Sequence, residues 1–418
     1  MKITKLFGLI SLVAINFSCA QNQAEVEQTK VEIITRMQKA HDWMWANRGL
    51  TKGGQRGDWD WTNGTWFVGS MELYKISKNP ALQRQLQSVG QGLGWTLGDQ
   101  VPGEAHDLDW YREQYAIFQK SDNNDVVDAM EHAGKKTTTF ADNHTIVQLY
   151  ADLALIDQQS VNLQPTIKAF DSLIKENLDV DMTDHLAVCW SGEWSWCDSL
   201  FMGPPAFAKM YKATGDKAYL DFMNRKWWKA HAFLYDKNEK LFFRDAAYFN
   251  KKEVNGAKVF WGRGNGWVMG GLVRVLEVMP EDYPDRAKYI QLLKEMSESV
   301  SQLQQSDGFW RASLLDPGAF PGGETSATGF FCYAMAWGIN RGYLERSTYE
   351  PVVQKAWRAL VDSVDESGKV GWVQAIGKNP KKVQASDTEV YGTGAFLLAG
   401  SEVYKLLEKS LPDGRTQY

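Results

Sequence analysis

The sequence predicts an all-α fold, an (α/α)6 barrel of six outer and six inner helices, and three observations point to it. Six apolar helical segments begin at intervals of roughly 60 to 75 residues, the spacing of a divergent structural repeat rather than a short solenoid. Each is entered from a loop of small or acidic residues. Each is also preceded by a helix of a different kind, amphipathic and more highly charged. Helices rich in Gly, Ala and Met on all sides need burial over most of their surface, whereas amphipathic helices need cover on one face. A closed inner ring inside a charged outer ring satisfies both demands.

In chain order the first pair is Val31 to Trp45 (outer) and Thr65 to Tyr74 (inner), followed by Ala81 to Leu97 and Asn143 to Ile156. The third and fourth pairs are Leu163 to Glu176 with Ser199 to Tyr211, and Lys217 to Phe233 with Gly266 to Met279. Arg286 to Gln304 with Ser326 to Gly338, and Tyr349 to Val364 with Gly394 to Leu407, complete the ring. Within the fifth outer helix Ile290, Leu293, Met296 and Val300 recur three and four residues apart and give one buried face. The loops entering the inner helices all open on one end of such a barrel. They carry Trp61, Trp66, Asp142, Trp196, Asp198, Trp261, Arg263, Trp267, Glu324 and Tyr391, so the sequence predicts a single cleft.

Residues 27–410 read as one barrel domain, because no low-complexity linker interrupts the repeat. Residues 1–20 read as an export signal: Lys2 and Lys5 precede the apolar run Leu6 to Phe17, and the small residues Ser18 and Ala20 follow. Cys19 stands where a lipoprotein cysteine would, and cleavage after Ala20 is the competing reading. Both readings send the chain out of the cytoplasm, to the periplasm or to a lipid tether on a membrane. No later run reaches the ~20 apolar residues of a membrane span.

The chain has 418 residues with 18 Trp, 16 Tyr and 19 Phe, and a formal net charge of −5 from 46 basic and 51 acidic residues. Trp at this density suits stacking on sugar rings, and it equally suits filling a large core. The mild acidity argues against nucleic-acid binding. Cys189, Cys197 and Cys332 form no paired framework, although a Cys189–Cys197 bridge is open. The six His are scattered, with no HExxH or CxxC and no zinc spacing, so no metal or cofactor is expected. Neither a GxSxG elbow nor a GxxxxGK[ST] loop occurs, and Trp261 to Trp267 (WGRGNGW) is not a GxGxxG turn after a strand.

Carboxylates are therefore the candidate acid and base. Asp142 in FADNHTIVQLY and Asp198 in WCDSLFMGPP stand at two inner-helix entrances. One reading makes them N-caps, accepting the free N–H groups of a first helical turn. The other makes them chemical groups: a carboxyl desolvated beside Trp and Met and facing a second carboxylate is pushed to a higher pKa and can deliver a proton near neutrality. The segment Gln100 to Thr139 is long for a connection and reads either as a lid carrying His106, Asp107, Asp109, Trp110 and Tyr111 or as an extra helix with ordinary surface packing.

Five segments together resemble the unsaturated glucuronyl and rhamnogalacturonyl hydrolases of glycoside hydrolase family 105, related to family 88. They are DNHT with Asp142, CDSLFMGPP with Asp198, WGRGNGW, ETSATGFF from Glu324, and GTGAFLLAGSEVY from Gly392. The resemblance covers about Glu27 to Leu407. It implies the same barrel and an activity on oligosaccharides whose non-reducing end carries a 4,5-unsaturated uronic acid. It also implies that Asp198 protonates C4 of the vinyl ether and assists water addition at C5, with Asp142 stabilising the cation. By that resemblance no glycosyl-enzyme would form, so carboxylate separation would not report stereochemistry here.

By the same resemblance Arg263 and Asn265 would hold substrate carboxylate or hydroxyls between Trp261 and Trp267; a tight helix-capping loop is the alternative for that segment. Trp66, His144 and Trp196 complete the expected binding set. One departure concerns LFFRDA, where family members commonly have a histidine and this chain has Arg244. A permanent cation there favours a sulfated or more acidic oligosaccharide, such as a product of ulvan breakdown, alongside pectin-derived ones. Three other functions fit the same cleft: an inverting glycosidase, a polysaccharide lyase, and a non-catalytic glycan-binding lipoprotein.

Overall fold

The structure, a computed structural model, describes residues 4–97, 113, 139–176, 180–183 and 193–408, with side chains for 25–97, 113, 139–175, 180–183 and 193–408. Outer and inner helices alternate along the chain. The first two pairs are α1 (Thr4–Asn47) with α2 (Trp61–Ser77), and α3 (Pro80–Gly92) with α4 (Val147–Ile156). Next come α5 (Gln164–Glu176) with α6 (Ser199–Met202) and α7 (Pro204–Thr214), then α8 (Lys217–Leu234) with α9 (Gly262–Leu276). The last two pairs are α10 (Arg286–Gln302) with α11 (Thr325–Asn340), and α12 (Arg346–Asp362) with α13 (Val390–Glu408).

Side-chain caps set several starts, because the first N–H groups of a helix have no intrahelical acceptor. Asp60 Oδ1 accepts from Thr62 N at 3.0 Å at the head of α2, and Asp216 Oδ1 from Ala218 N at 2.9 Å at the head of α8. Glu324 accepts from Ser326 N and Ala327 N at the head of α11.

The inner helices pack in a closed ring: α2 on α4, α4 on α7, α6 and α7 on α9, α9 on α11, α11 on α13, and α13 back on α2. Closure brings backbones into contact. A Cβ on Gly69 of α2 would lie 2.4 Å from Gly394 O, and one on Gly394 would lie 2.6 Å from Thr65 O. Only glycine permits that approach. One contiguous core runs from Ile33 to Leu406.

The inner ring departs from the sequence expectation at several helix starts, α2 and α13 beginning about four residues early so that Trp61 and Tyr391 are helical rather than in loops, and two further departures have clear local causes. The segment expected as one helix from Ser199 is two, α6 and α7, since Pro204 and Pro205 lack the N–H that would continue the ladder and instead start a new helix. The glycine-rich WGRGNGW, expected in an entrance loop, forms the first turns of α9. Its glycines serve close packing: a Cβ on Gly262 would meet Arg311 O at 2.5 Å, and one on Gly264 would meet Cys197 Sγ at 2.8 Å.

All six inner helices run in one direction, so their N-termini converge at one end and their C-termini at the other. The C-terminal end is closed by buried charge. Lys209 Nζ lies 2.7 Å from Asp152 Oδ1, Arg274 Nη2 3.1 Å from Asp152 Oδ2, and Lys75 Nζ 2.7 Å from Glu72 Oε1. Lys405 of α13, paired with Glu402 at 2.6 Å, joins the network 3.9 Å from Glu72 Oε2. At the other end a short antiparallel hairpin, β1 (Tyr235–Asp236) and β2 (Leu241–Phe242), precedes α9 and delivers Arg244 and Asp245 to the mouth.

Candidate active site

Asp198 precedes α6 in helical backbone conformation, and its side chain makes no capping hydrogen bond. The carboxyl is therefore not spent on the helix. Its Oδ2 lies 3.4 Å from Cys197 Sγ and 3.5 Å from Arg244 Nε, and 13 % of the side chain remains exposed. Burial raises the Asp198 pKa, against the pull of Arg244, Arg263 and the Cys197 thiol. A carboxyl in that balance holds its proton to higher pH than an exposed one.

Arg244 reaches this position because Cys197 N donates to Arg244 O at 2.8 Å, tying the loop after β2 to the Asp198 loop. Its Nη1 donates to Asp245 Oδ2 at 2.6 Å, and 18 % of its side chain stays exposed at the mouth. Burial alone would lower its pKa, but Asp198 and Asp245 outweigh that and keep the guanidinium charged. Asp142 lies in the turn Ala141–His144, which packs against α6, and is half-buried. The two expected carboxylates thus sit on neighbouring elements at the same end.

The floor beneath them is aromatic. Trp61 stacks on Tyr391 with centroids 5.3 Å apart and presents its edge to Trp267 at 5.9 Å. Trp267 is in turn packed on Phe330 at 4.5 Å and Phe201 at 4.9 Å. Arg263 lies between the rings of Trp261 and Tyr391, 4.5 and 4.8 Å from their centroids.

Several expected binding residues have structural work instead. Trp66 is fully buried on the outward side of α2, against His41, Trp45 and Phe67, so it lies in the wall rather than the cleft. His144 points toward the outer layer, edge-on to Phe170 and Phe207. Asn265 is buried and clamps β2: Oδ1 accepts from Phe242 N at 2.8 Å, and Nδ2 donates to Phe242 O and Trp261 O. Arg263 donates to Gln374 O and Ala375 O, which pins the loop before α13. Trp261 donates to Gln374 Oε1 at 3.1 Å, and Trp196 is covered by a stacked Phe140. Asn265, Arg263, Trp261 and Trp196 are neighbours or supports of the mouth, Trp66 and His144 are not, and Asp198, Asp142 and Arg244 retain accessible surface.

Sequence reasoning missed Asp245, Gln374 and Trp372. Trp372 is half-buried and holds φ 56°, a left-handed conformation that costs a bulky residue of order 1–3 kcal/mol and concentrates at functional sites. No local pattern marks it, since the loop conformation is imposed by Thr325 N donating to Trp372 O at 2.8 Å. His106, Asp107, Asp109, Trp110 and Tyr111 lie outside the described residues, as does Cys189. Cys197 itself is a buried free thiol. Among the described residues no three His, Cys, Asp or Glu side chains converge as metal ligands.

A double helical ring with a carboxylate, a guanidinium and an aromatic floor at the inner-helix N-termini defines a carbohydrate-active barrel protein. Residues 30–407 match Glycosyl Hydrolase Family 88, and the chain belongs to that family. It is 40% identical over 332 residues to an unsaturated 3S-rhamnoglycuronyl hydrolase of Formosa agariphila, spanning 73% of this chain and 88% of that one. The fold is similar to that of a family 88 glycosyl hydrolase from Bacteroides vulgatus, with TM-score 0.73, 26% identity, and coverage of 91% of this chain and 99% of the other. It is also similar to a structure described as a polysaccharide lyase, with TM-score 0.75, 28% identity, and coverage of 93% and 100%.

Proposed function

We propose that the protein removes a 4,5-unsaturated uronic acid from the non-reducing end of oligosaccharides generated by polysaccharide lyases, with a rhamnose as the neighbouring sugar. The observation that carries this is Asp198, a carboxyl raised by burial, free of any capping duty, and set at the mouth of the barrel beside Arg244. The neighbouring rhamnose follows the relative from Formosa agariphila, with which most of the chain aligns.

Asp198 protonates C4 of the enol ether, and the positive charge develops at C5 and the ring oxygen. Asp142, on the adjoining turn, stabilises that charge, and the aromatic floor of Trp61, Trp267 and Tyr391 keeps bulk water away. Water adds at C5 and gives its proton to the Asp198 carboxylate, which regenerates the acid. The hemiketal opens to a C5 ketone, and collapse at C1 expels the remaining saccharide. Six inner-helix N-termini converge on this end, and their partial positive charge favours a uronate carboxylate.

Arg244 keeps exposed surface next to the acid, which supports a contact with a sulfate or second carboxylate on the substrate. Replacing it by histidine should reduce the preference for sulfated over desulfated oligosaccharides; an unchanged ratio removes sulfate from the reading. Residues 1–20 are proposed to export the chain, with Cys19 as the site of a lipid tether. Among the described residues no helix is long and apolar enough to cross a membrane. Loss of fatty-acid labelling in Cys19→Ser, with the protein still exported, is the expected result.

The test of the reaction is the ultraviolet absorbance of the conjugated uronate on lyase-treated ulvan and pectin oligosaccharides. A hydrolase of this kind consumes the chromophore, so absorbance falls with the wild type and not with Asp198→Asn. The similarity to a polysaccharide lyase favours a second reading. That activity creates the chromophore from a saturated polymer, so absorbance would rise.

A further inference from the structure

Two carboxylates share one guanidinium at the mouth of the barrel, and they share it unequally. Arg244 Nη1 donates to Asp245 Oδ2 at 2.6 Å, at the short end for a charge-assisted contact, whereas Arg244 Nε stands 3.5 Å from Asp198 Oδ2, at the outer limit. Asp245 is also the more tightly fixed of the two. Its side chain is only 3 % exposed, and its second oxygen accepts from Ala247 N at 2.8 Å at the head of the turn Ala246–Tyr248.

The inequality matters for the role proposed for Asp198. A guanidinium forming two short bonds to a carboxylate lowers that acid's pKa by roughly 1–3 units and would leave Asp198 ionised when the double bond needs a proton. Asp245 occupies the nearer donor, neutralises much of the charge and holds the guanidinium back. The other charged or titratable groups acting on Asp198 are Cys197 on its own loop, Arg263 from the first turn of α9 and Tyr248 from the Ala246–Tyr248 turn, while Asp142 lies on the turn packed against α6. Among the described contacts none of these holds the Arg244 guanidinium by a hydrogen bond, and Asp245 does.

We propose that Asp245 is a positioning residue for the general acid: by taking the short ion pair with Arg244, it keeps that cation from closing on Asp198 and so preserves the proton the reaction consumes. This rests on the reading of Asp198 as the acid. Asp245 touches no substrate in this scheme and acts wholly through Arg244. Burial pushes Asp198 up and Arg244 is the largest influence pulling it down, so the Arg244 distance is the lever through which Asp245 works.

The experiment is the pH dependence of kcat/KM, followed by loss of the uronate chromophore, for wild type, Asp245→Asn, Asp245→Ser, and Asp245→Asn combined with Arg244→Gln. Both single replacements keep a capping oxygen for Ala247 N, which protects the fold, and two of them guard against one failing to express. An acid must be protonated to act, so activity is present below its pKa and lost as pH rises through it. Either single variant should move this alkaline limb to lower pH by about one unit, a tenfold loss at pH values above the limb. The double variant, lacking the cation, should return the limb to the wild-type position or above it. A limb that stays in place while activity falls evenly at every pH makes Asp245 merely structural and overturns the proposal. Wild-type protein inert toward every unsaturated oligosaccharide overturns the reading of the reaction itself, and this inference falls with it.

Discussion

Asp152→Asn tests whether the charge network at the closed end of the barrel holds the ring together. Asp152 is buried and accepts Lys209 at 2.7 Å, Arg274 at 3.1 Å and Lys75 at 3.3 Å. Burial alone would raise its pKa, but the three cations outweigh that and hold it below the usual carboxylate range. Replacing the carboxylate by an amide keeps the shape and leaves Lys209 and Arg274 buried with their principal counter-charge gone. Breaking a buried pair on one side costs roughly 3–5 kcal/mol. Unfolding entropy of ~2.1 cal/mol/K per residue over the roughly 380 residues of the barrel gives ~0.8 kcal/mol/K, so Tm should fall by ~4–6 °C.

The assay is thermal unfolding followed by circular dichroism between pH 3 and 8. A depressed carboxylate contributes stability that is fully present above its unfolded pKa of about 3.9 and is lost as pH falls through the folded value. The wild-type and variant Tm should therefore differ most near neutrality and converge in acid. Adding Lys209→Met should recover most of the loss, because the pair is then removed as a unit. Activity at a temperature well below Tm should be unchanged, since Arg274 lies eleven residues beyond Arg263 on α9 and thus ~16 Å farther along the barrel. An unaltered Tm at neutral pH, or a difference that grows in acid, would refute the reasoning.

Three further outcomes follow from the geometry. Gly69→Ala places a methyl group against the Gly394 carbonyl at 2.4 Å, backbone that cannot swing away, and should cost about 1–3 kcal/mol in denaturant unfolding. Asn265→Ala frees Phe242 N and O inside the protein and should cost about 2–3 kcal/mol, with kcat reduced as well because β2 delivers Arg244 to the mouth. Trp372→Ala should raise KM severalfold with little change in Tm, because it removes a half-buried aromatic ring at the mouth and leaves the left-handed backbone position no more and no less strained.

The fold was legible because its signal is long-range and redundant. Twelve helical segments alternating between apolar-all-round and amphipathic leave few packings, and errors at single ends do not alter the ring. Boundaries shifted where local chemistry competed: Pro204 and Pro205 divided one inner helix, and the glycines of WGRGNGW, which look like a loop, were close-contact positions inside α9. The abundance of Trp pointed to sugar stacking, yet Trp66, Trp194, Trp227, Trp261, Trp267, Trp310 and Trp337 are fully or almost fully buried. Composition counts aromatic rings and says nothing of which way they face.

By itself, the amino-acid sequence determined the helical repeat and the end of the barrel to which Asp142 and Asp198 belong, since each depends on periodicity or position relative to a helix start, whereas Arg244 was singled out only by the resemblance of LFFRDA to a family segment. Only the tertiary structure decided what those side chains touch. Asp198 and Arg244 are far apart in sequence, and their relation depends on a 2.8 Å backbone bond from Cys197 to Arg244 that no local pattern encodes. Likewise, Trp66 and His144 sit near helix starts like the site residues do, but helix rotation turns them into the wall. A helix phase error of one residue swings a side chain by about 100°, and packing against neighbours, not the sequence pattern alone, fixes that phase.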